Sequence, residues 1–530
     1  MSVFDKKRQY YPVSMARKNP IWLKTAVWLA IAGSVLAFGW GRDFERPKAL
    51  FVSVAAAMLI PRVLLIWPTW PKQMRTALII WLLLLAATAL FALDPVRALM
   101  GSFERSQGAF MLVCCTIFAL ARVRARIIAA PVAAVMCVVG VWALAQFFGV
   151  ESAIFSALGF LEPTLLETGW QGAFGWRAFA SFGNPTALGG WLAMAWVFLF
   201  SVRVQADGFQ VGHSNRSMLS IRLLECGLLL GAVGVLLSGT RAAWLALSVV
   251  ALLQLRHKKM LQIIKILQII GLTAFMALAV ALLSVRTDSV RARVELAGAA
   301  LSTADITLID SLGRSDPYPF VRPWLGYGPD LQVVMLEHNV PQRAVGVMPD
   351  RAHQMLLDGY LSIGVLGVLS WLYLMGTLWC HRIGTHNGHM FALIAGLITW
   401  QFGFALSAEK ALFGLLLGSM FTPKIQLEAA AVAIPTRFNS IGINTFAVLF
   451  AIFSMLSYLP RNILSLDAFA PWRRPERAIV HFERARLAII ANQGELAEQE
   501  LTRAVTLDPW RSDLARAKAN LARDLGHNSP

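Results

Sequence analysis

The stretch Thr76–Leu93, TALIIWLLLLAATALFAL, decides the fold. It carries no charge and, as a helix rising about 1.5 Å per residue, nearly spans a hydrocarbon core of about 30 Å. It begins just after Lys72 and Arg75 and ends at Asp94-Pro95, so charge and a helix breaker bracket it. Similar runs recur from Ile21–Trp40 to Ile441–Tyr458, about 13 in all. Ala109–Leu120 and Ala411–Phe421 are short for a crossing, and Ile264–Val285 is among the longest. Of the 530 residues 57% are hydrophobic and only 15% charged, with a mean hydropathy of +0.60. Soluble domains carry about 25% charge, so a soluble globular class is excluded. The expectation is an all-α polytopic membrane protein with about 12–13 transmembrane helices.

The net charge of +18 supplies an orientation. Basic clusters lie at Lys6–Arg8, Arg17–Lys24, Lys72/Arg75, Arg122/Arg124/Arg126, Arg203/Arg216/Arg222, Arg256/Lys258/Lys259, His381/Arg382 and Lys424/Arg437. Threading the runs from a cytoplasmic N-terminus puts every cluster on the cytoplasmic side, as the positive-inside rule requires. Gly41–Pro47, Asp94–Gly108, Glu151–Gly183, Ser238–Thr240, Arg286–Gln354, Ser407–Lys410 and the tail after Leu459 then face outside. The chain divides into a cytoplasmic N-terminus (1–20), a membrane domain (21–460) with a large outer loop (286–354), and an extracytoplasmic tail (461–530). No A-x-A site follows the first apolar run, which therefore reads as retained. The five cysteines fall in or beside the spans and form neither a disulfide framework nor a zinc spacing.

Past Pro460 the pattern becomes amphipathic. Gly494–Pro509, GELAEQELTRAVTLDP, places Ala497, Leu501, Ala504, Val505 and Leu507 at helical spacing. It resembles the second helix of a tetratricopeptide repeat, with Pro475–Asn492 before it and Trp510–Leu525 after it. A generic helical hairpin is the alternative. So short an array needs a neighbour to cover its apolar face, which points to the membrane domain or a protein partner of the tail.

Several outer residues are of types that carry chemistry. Arg241, in SGTRAAWLAL, opens a membrane helix. It reads either as an interfacial arginine or as an anion site, since a guanidinium offers a fork matching phosphate oxygens. Arg286, Arg291, Arg293, Arg314, Arg322, Arg343 and Arg351 share the long loop with Asp310, Asp316, Asp330 and other acids, so each can pair locally or hold a ligand. His353, in PDRAHQMLLDGYL, stands where the next span begins. An imidazole there can accept a proton near neutral pH, or can be structural. His381, His386 and His389 lack a thiolate or acidic partner, and no metal is expected there. Three outer motifs join glycine to polar residues: GSFERSQG (Gly101–Gly108) with Arg105, RAFASFGNP (Arg177–Pro185) with Arg177 and Asn184, and WLGYGPD (Trp324–Asp330). Asn184-Pro185 also fits an ordinary N-cap followed by a first-turn proline.

In this order and context the motifs resemble the O-antigen ligase and O-antigen polymerase superfamily of bacterial envelope proteins. The resemblance covers about Asp94–Phe421 and is most specific over Leu237–Gly367. It runs from GSFERSQG through FASFGNPTALGG, SGTRAAWLAL, GRSDP and PWLGYGPD to DRAHQMLLDGYLSIGVLG. Members transfer a glycan from an undecaprenyl diphosphate carrier to an acceptor hydroxyl at the outer face of the inner (cytoplasmic) membrane. The acceptor is lipid A core sugar in lipopolysaccharide synthesis, a growing glycan, or a protein side chain. The resemblance implies inverting, metal-independent transfer without a cofactor. Residue by residue it implies that Arg241 and Arg314 hold the diphosphate and that His353 activates the acceptor. Arg105, Arg177, Asn184 and Arg351 are implied as further donor or acceptor contacts. Gln354 stands where asparagine usually follows the histidine, and Ala242 where glycine often follows the arginine. Membrane lipids are the surroundings, and nucleic acid is not an expected partner.

The chemistry also stands on its own terms. A diphosphate leaves readily once cations stabilise its charge, whereas an alcohol is a poor nucleophile that a positioned imidazole assists. Two other classes compete. A transporter of lipid-linked glycan or polysaccharide calls for charged groups within the spans. A scaffold protein would use only the tail.

Overall fold

In the computed structural model the described residues are 21–37, 45–102, 105–151, 177–208, 218–255, 295–298, 300–301, 308–339, 351–380, 387–421, 440–458 and 474–525. Every apolar run read from the sequence that lies among them is helical. The run Ile264–Val285, the N-terminal segment, Arg286, Arg291, Arg293, Arg343, His381 and His386 lie outside them. The membrane domain comprises α1 (Ile21–Leu36), α2 (Arg46–Ile66), α3 (Lys72–Leu90), α4 (Pro95–Met100), α5 (Ala109–Leu120), α6 (Ala125–Phe147) and α7 (Pro185–Gly208). It continues with α8 (Met218–Ser238), α9 (Arg241–Leu255), α10 (Gln332–Asn339), α11 (Met355–Cys380), α12 (Asn387–Trp400), α13 (Ser407–Ser419) and α14 (Ser440–Tyr458).

The cores of α2, α3, α6, α7, α8 and α11 are each long and apolar enough to cross a membrane, and α1, α5, α9, α12 and α14 contain shorter apolar helices. Leu83, Leu90, Val141, Leu229, Leu236 and Leu369 are exposed on these helices. Such outward apolar faces are satisfied by lipid and not by water. The fold is that of an all-α polytopic membrane protein.

The interior is close-packed where helices approach through small residues. The first two turns of α7 show how. A Cβ on Gly189 would lie 2.6 Å from Thr240 Cβ, and one on Gly190 would lie 2.5 Å from Glu409 Oε1. Glycine at both positions lets α7 touch the turn before α9 on one side and α13 on the other. At the same end of the bundle, Glu45 and Lys48 form a buried ion pair at 2.9 Å. The other oxygen of Glu45 accepts from Ser407 N at 3.1 Å, tying α2 to the start of α13.

The ends of the helices converge into two opposite faces. The loop face carries the starts of α5, α7, α9, α11 and α13 and the segment 308–330. The far face carries the ends of α2, α5, α11 and α13 and the start of α3.

The tail forms α15 (Arg474–Ile490), α16 (Gly494–Leu507) and α17 (Ser512–Asp524). Ala485, Ala497, Leu501 and Leu521 make a small core of their own. Three contacts dock the tail on the loop face. Trp510 joins the main core. Ser311 donates to Pro509 O from N at 3.0 Å and from Oγ at 2.6 Å. Arg97 pairs with Asp508 at 3.5 Å, both buried. The membrane domain is therefore one neighbour of the tail, while Leu487, Ile490 and Leu496 stay exposed on it.

Candidate functional site

The WLGYGPD segment is stitched between two helices. Tyr327 N donates to Leu361 O at 2.8 Å, Gly328 N to Ser362 O at 3.0 Å, and Leu93 N to Tyr327 O at 3.1 Å. These bonds occupy carbonyls that α11 frees at its kink, where Gly364 adopts φ +64°. Gly326, at φ +75°, faces that kink so closely that a Cβ on it would lie 2.5 Å from Ser362 C. A side chain at either position would push the two backbones apart, which explains glycine in both.

The segment ends by delivering Asp330. Its Oδ1 accepts from Arg351 Nη2 at 2.6 Å, and its Oδ2 accepts from Ser102 N at 2.5 Å and Gln107 N at 3.3 Å. Ser102 and Gln107 of the GSFERSQG motif thus present backbone N–H groups to the carboxylate. Burial alone would raise the Asp330 carboxyl. Arg351, the Ser102 N–H and Arg97 outweigh it and hold the group below the ordinary carboxylate range.

Gln107 carries the arrangement onward. Its Nε2 donates to Ser407 Oγ at 2.8 Å, and its Oε1 accepts from Lys410 Nζ at 2.5 Å.

Phe404 is the hub of this face. The guanidinium of Arg105 lies 4.8 Å from its ring centroid and that of Arg351 lies 5.3 Å away. The His353 ring is 5.3 Å from it at 54°. Arg105 therefore meets Arg351 and His353, which lie far along the sequence from it, around one aromatic ring, whose faces attract cations through the quadrupole. His353 is held in the left-handed region, φ +54°, by caps on both sides. The Gln354 side chain accepts from Leu357 N at 2.6 Å, and the Asp358 side chain accepts from Ala352 N at 2.8 Å. This reciprocal capping fixes the start of α11. Gln354 also reaches Gln401 at 2.7 Å, a contact the shorter asparagine has less reach to make.

Arg177 and Arg241 belong to a neighbouring turn. Arg177 donates to Ser238 O at 2.9 Å and to Thr240 Oγ1 at 3.4 Å, and Thr240 Oγ1 donates to Pro185 O at 2.7 Å. The motifs RAFASFGNP and SGTR are thereby locked together, with half-buried Arg241 as the first residue of α9. Asn184 accepts from Thr186 N at 2.8 Å and caps α7, the ordinary reading of Asn-Pro. Arg314 is exposed on the turn over 308–316 and pairs with Asp310 at 2.7 Å. Arg322 is buried against Asp316, 2.5 Å away. These loop arginines follow the local-pairing alternative. His389 is buried in α12, 3.2 Å from Ser419 Oγ through Nδ1.

A groove opens beneath Phe404. At the loop face it is lined by Gln107, Asp330, Arg351, Asp358, Phe404 and Lys410. It follows α11 from Met355 to Leu378 and reaches Trp67, Trp70 and Arg75 at the far face. Between these ends its walls are almost wholly apolar, with Leu78 and Trp81 of α3, Leu112 and Cys115 of α5, Val368, Trp371 and Leu374 of α11, and Phe413 and Leu417 of α13. Of the residues singled out from sequence, Arg351 lines the groove. His353 and Arg105 stand at its rim on Phe404, while Arg241 and Arg314 are outside the lining.

Sequence reasoning missed Lys410, Gln107, Asp330 and Phe404 as site residues. A lysine one residue before an apolar run is a legible signal, because an amine there needs a use or a partner. Phe404 has no comparable mark. Neither a model of a known protein family nor a curated protein matches this chain.

Proposed function

We propose that the protein transfers a glycan from an undecaprenyl diphosphate carrier to an acceptor hydroxyl at the outer face of a bacterial cytoplasmic membrane, with its N-terminus in the cytoplasm. One observation carries this reading. A groove with apolar walls runs the depth of the helical bundle and ends in Arg351 and Lys410 beneath a ring that also gathers Arg105 and His353. That shape suits an amphiphile with one anionic head and one long apolar tail.

In this mechanism Arg351 and Lys410 take the diphosphate oxygens, and Asp330 and Gln107 fix the geometry of those two cations. The superfamily resemblance implies that Arg241 and Arg314 hold the diphosphate; both lie outside the groove lining, and in this mechanism they meet the head group and its sugar beyond the mouth. The bond from the anomeric carbon to the phosphate oxygen breaks, and its electron pair leaves with the diphosphate. The acceptor oxygen bonds to the opposite face of that carbon and its proton passes to His353. Cations fixed in place before the reaction stabilise the departing charge without reorganisation.

The test is acceptor-dependent release of undecaprenyl diphosphate by purified protein given a lipid-linked oligosaccharide. No release with any hydroxyl acceptor overturns the reading. The alternative is a transporter of lipid-linked glycan, and the reach of the groove to both faces favours it. Passage of a glycan head calls for polar groups at mid-depth, and between the two ends the lining offers few, the hydroxyls of Thr116 and Ser362 among apolar residues. Movement of lipid-linked glycan across proteoliposomes without release decides for transport.

A further inference from the structure

The far end of the groove is built as deliberately as its mouth. Trp70 is buried and lines that end. The Phe421 ring lies 5.6 Å from it, and the Arg122 guanidinium lies 3.9 Å from its ring. Arg122 Nη1 also donates to Thr69 Oγ1 at 3.2 Å. Arg122 is buried and adopts φ +46°, a conformation that residues with side chains rarely take. Arg62 holds it there, donating from Nε to Ala121 O at 2.6 Å and from Nη2 to Arg122 O at 3.2 Å. Strained backbone persists where surrounding contacts over-determine it and clusters at sites of function. Here three residues cooperate to keep one indole in place.

We propose that Trp70 is the floor of the groove and sets the longest apolar chain the groove accepts. The inference rests on the polyprenyl diphosphate reading and adds a specificity-determining residue to it. The geometry gives the length. Met355 to Leu378, at about 1.5 Å per residue, spans roughly 35 Å, a little less across the kink at Gly364, and so matches a hydrocarbon core of about 30 Å.

A chain anchored by its phosphate at Arg351 and Lys410 runs down this path and meets the indole. Beyond the indole stands guanidinium, from Arg122 behind Trp70, with Arg75 beside it on the lining. Arg122 is already buried, but further apolar chain pushed past the indole would strip solvent from half-buried Arg75 without offering it a partner, which is unfavourable. Isoprene units past the floor must turn out into lipid, where they gain nothing from the protein. Affinity should therefore rise with chain length and then level off.

The experiment measures binding of pentaprenyl, heptaprenyl, nonaprenyl and undecaprenyl monophosphate to the purified full-length protein. In the wild type the gain per isoprene unit stops at a break. Trp70→Ala moves the break to a longer chain and tightens undecaprenyl binding relative to heptaprenyl by about tenfold, as expected from burying a few more apolar carbons. Leu378→Trp fills the groove above the floor and moves the break to a shorter chain. Trp70→Phe keeps an aromatic floor and stays close to the wild type.

A break unmoved by Trp70→Ala overturns the proposal. If that variant is not recovered folded, a break unmoved by Leu378→Trp does so. Wild-type affinity that climbs without a break also overturns it. Failure of the wild type to bind any prenyl phosphate overturns the functional reading itself, and this inference with it.

Discussion

Asp330 and Arg351 close a buried ion pair at 2.6 Å across a separation of 21 residues, and this pair joins the glycine-rich segment after the 308–316 turn to the start of α11. The second Asp330 oxygen draws in Ser102 N and Gln107 N. One carboxylate thus organises three sequence motifs at the mouth of the groove.

Removing Arg351 takes the paired cation from that buried carboxylate and leaves it Ser102, the Gln107 N–H and the charge of Arg97. Arg351→Ala should destabilise the protein by about 3–5 kcal/mol, the range for breaking one side of a buried pair. Asp330→Asn keeps an acceptor for Ser102 and should cost less. Thermal unfolding in detergent compares them, and no loss in Asp330→Asn would mean that the charge is unimportant to the pairing.

The pH dependence follows from the same group. The folded carboxyl of Asp330 lies below its ordinary value, so its stabilisation is complete above the unfolded pKa of about 3.9 and is lost as pH falls through the folded value. Stability should show no Asp330 contribution to its slope at neutral pH and an acid limb below about pH 4. Asp330→Asn should flatten that limb. Unfolding midpoints measured across the acid range check the slope.

Lys410 lines the groove and donates to Gln107 at 2.5 Å. If it stabilises the leaving diphosphate, Lys410→Ala should lower transfer by about 10²–10³-fold, the loss typical of one preorganised donor. Membrane insertion should not change. Lys410→Arg should restore part of the rate. Acceptor-dependent release of undecaprenyl diphosphate is the readout, and wild-type rates in Lys410→Ala would remove the residue from the mechanism.

Arg241→Ala, Arg314→Ala and His353→Ala are each expected to abolish transfer with insertion intact. Arg314 requires an added control because it already pairs with Asp310. Asp310→Asn frees the guanidinium without removing it. Activity retained there and lost in Arg314→Ala assigns the role to the arginine, whereas loss in both assigns it to the fold of the turn.

Much of the architecture was legible in one dimension. Thr76–Leu93 is helical in α3 as far as Leu90 because a backbone in hydrocarbon must satisfy its own hydrogen bonds, and a helix does so locally. Asn184-Pro185 starts α7 by the ordinary capping rule. The tail pattern around Leu501 places α16, because a period of 3.6 residues writes one apolar face into the sequence.

The groove was not legible. Its walls are Leu, Val, Trp and Phe contributed by α3, α5, α11 and α13, and along any one helix those residues look the same as residues facing lipid. Phe404 stands in the short segment between α12 and α13, where nothing nearby marks it as the meeting point of Arg105, Arg351 and His353.

The sequence by itself determined what local physics controls: which segments are helical, where several of them start and stop, and which carry enough apolar surface for a membrane. The tertiary structure alone decided that Asp330 holds Arg351, that Lys410 shares the groove with them, and that Trp70 stands at the other end. The reason is that hydropathy and helical period act over neighbouring residues, whereas a site is fixed by which helix faces meet. That choice depends on packing across the whole bundle, and no single stretch of chain records it.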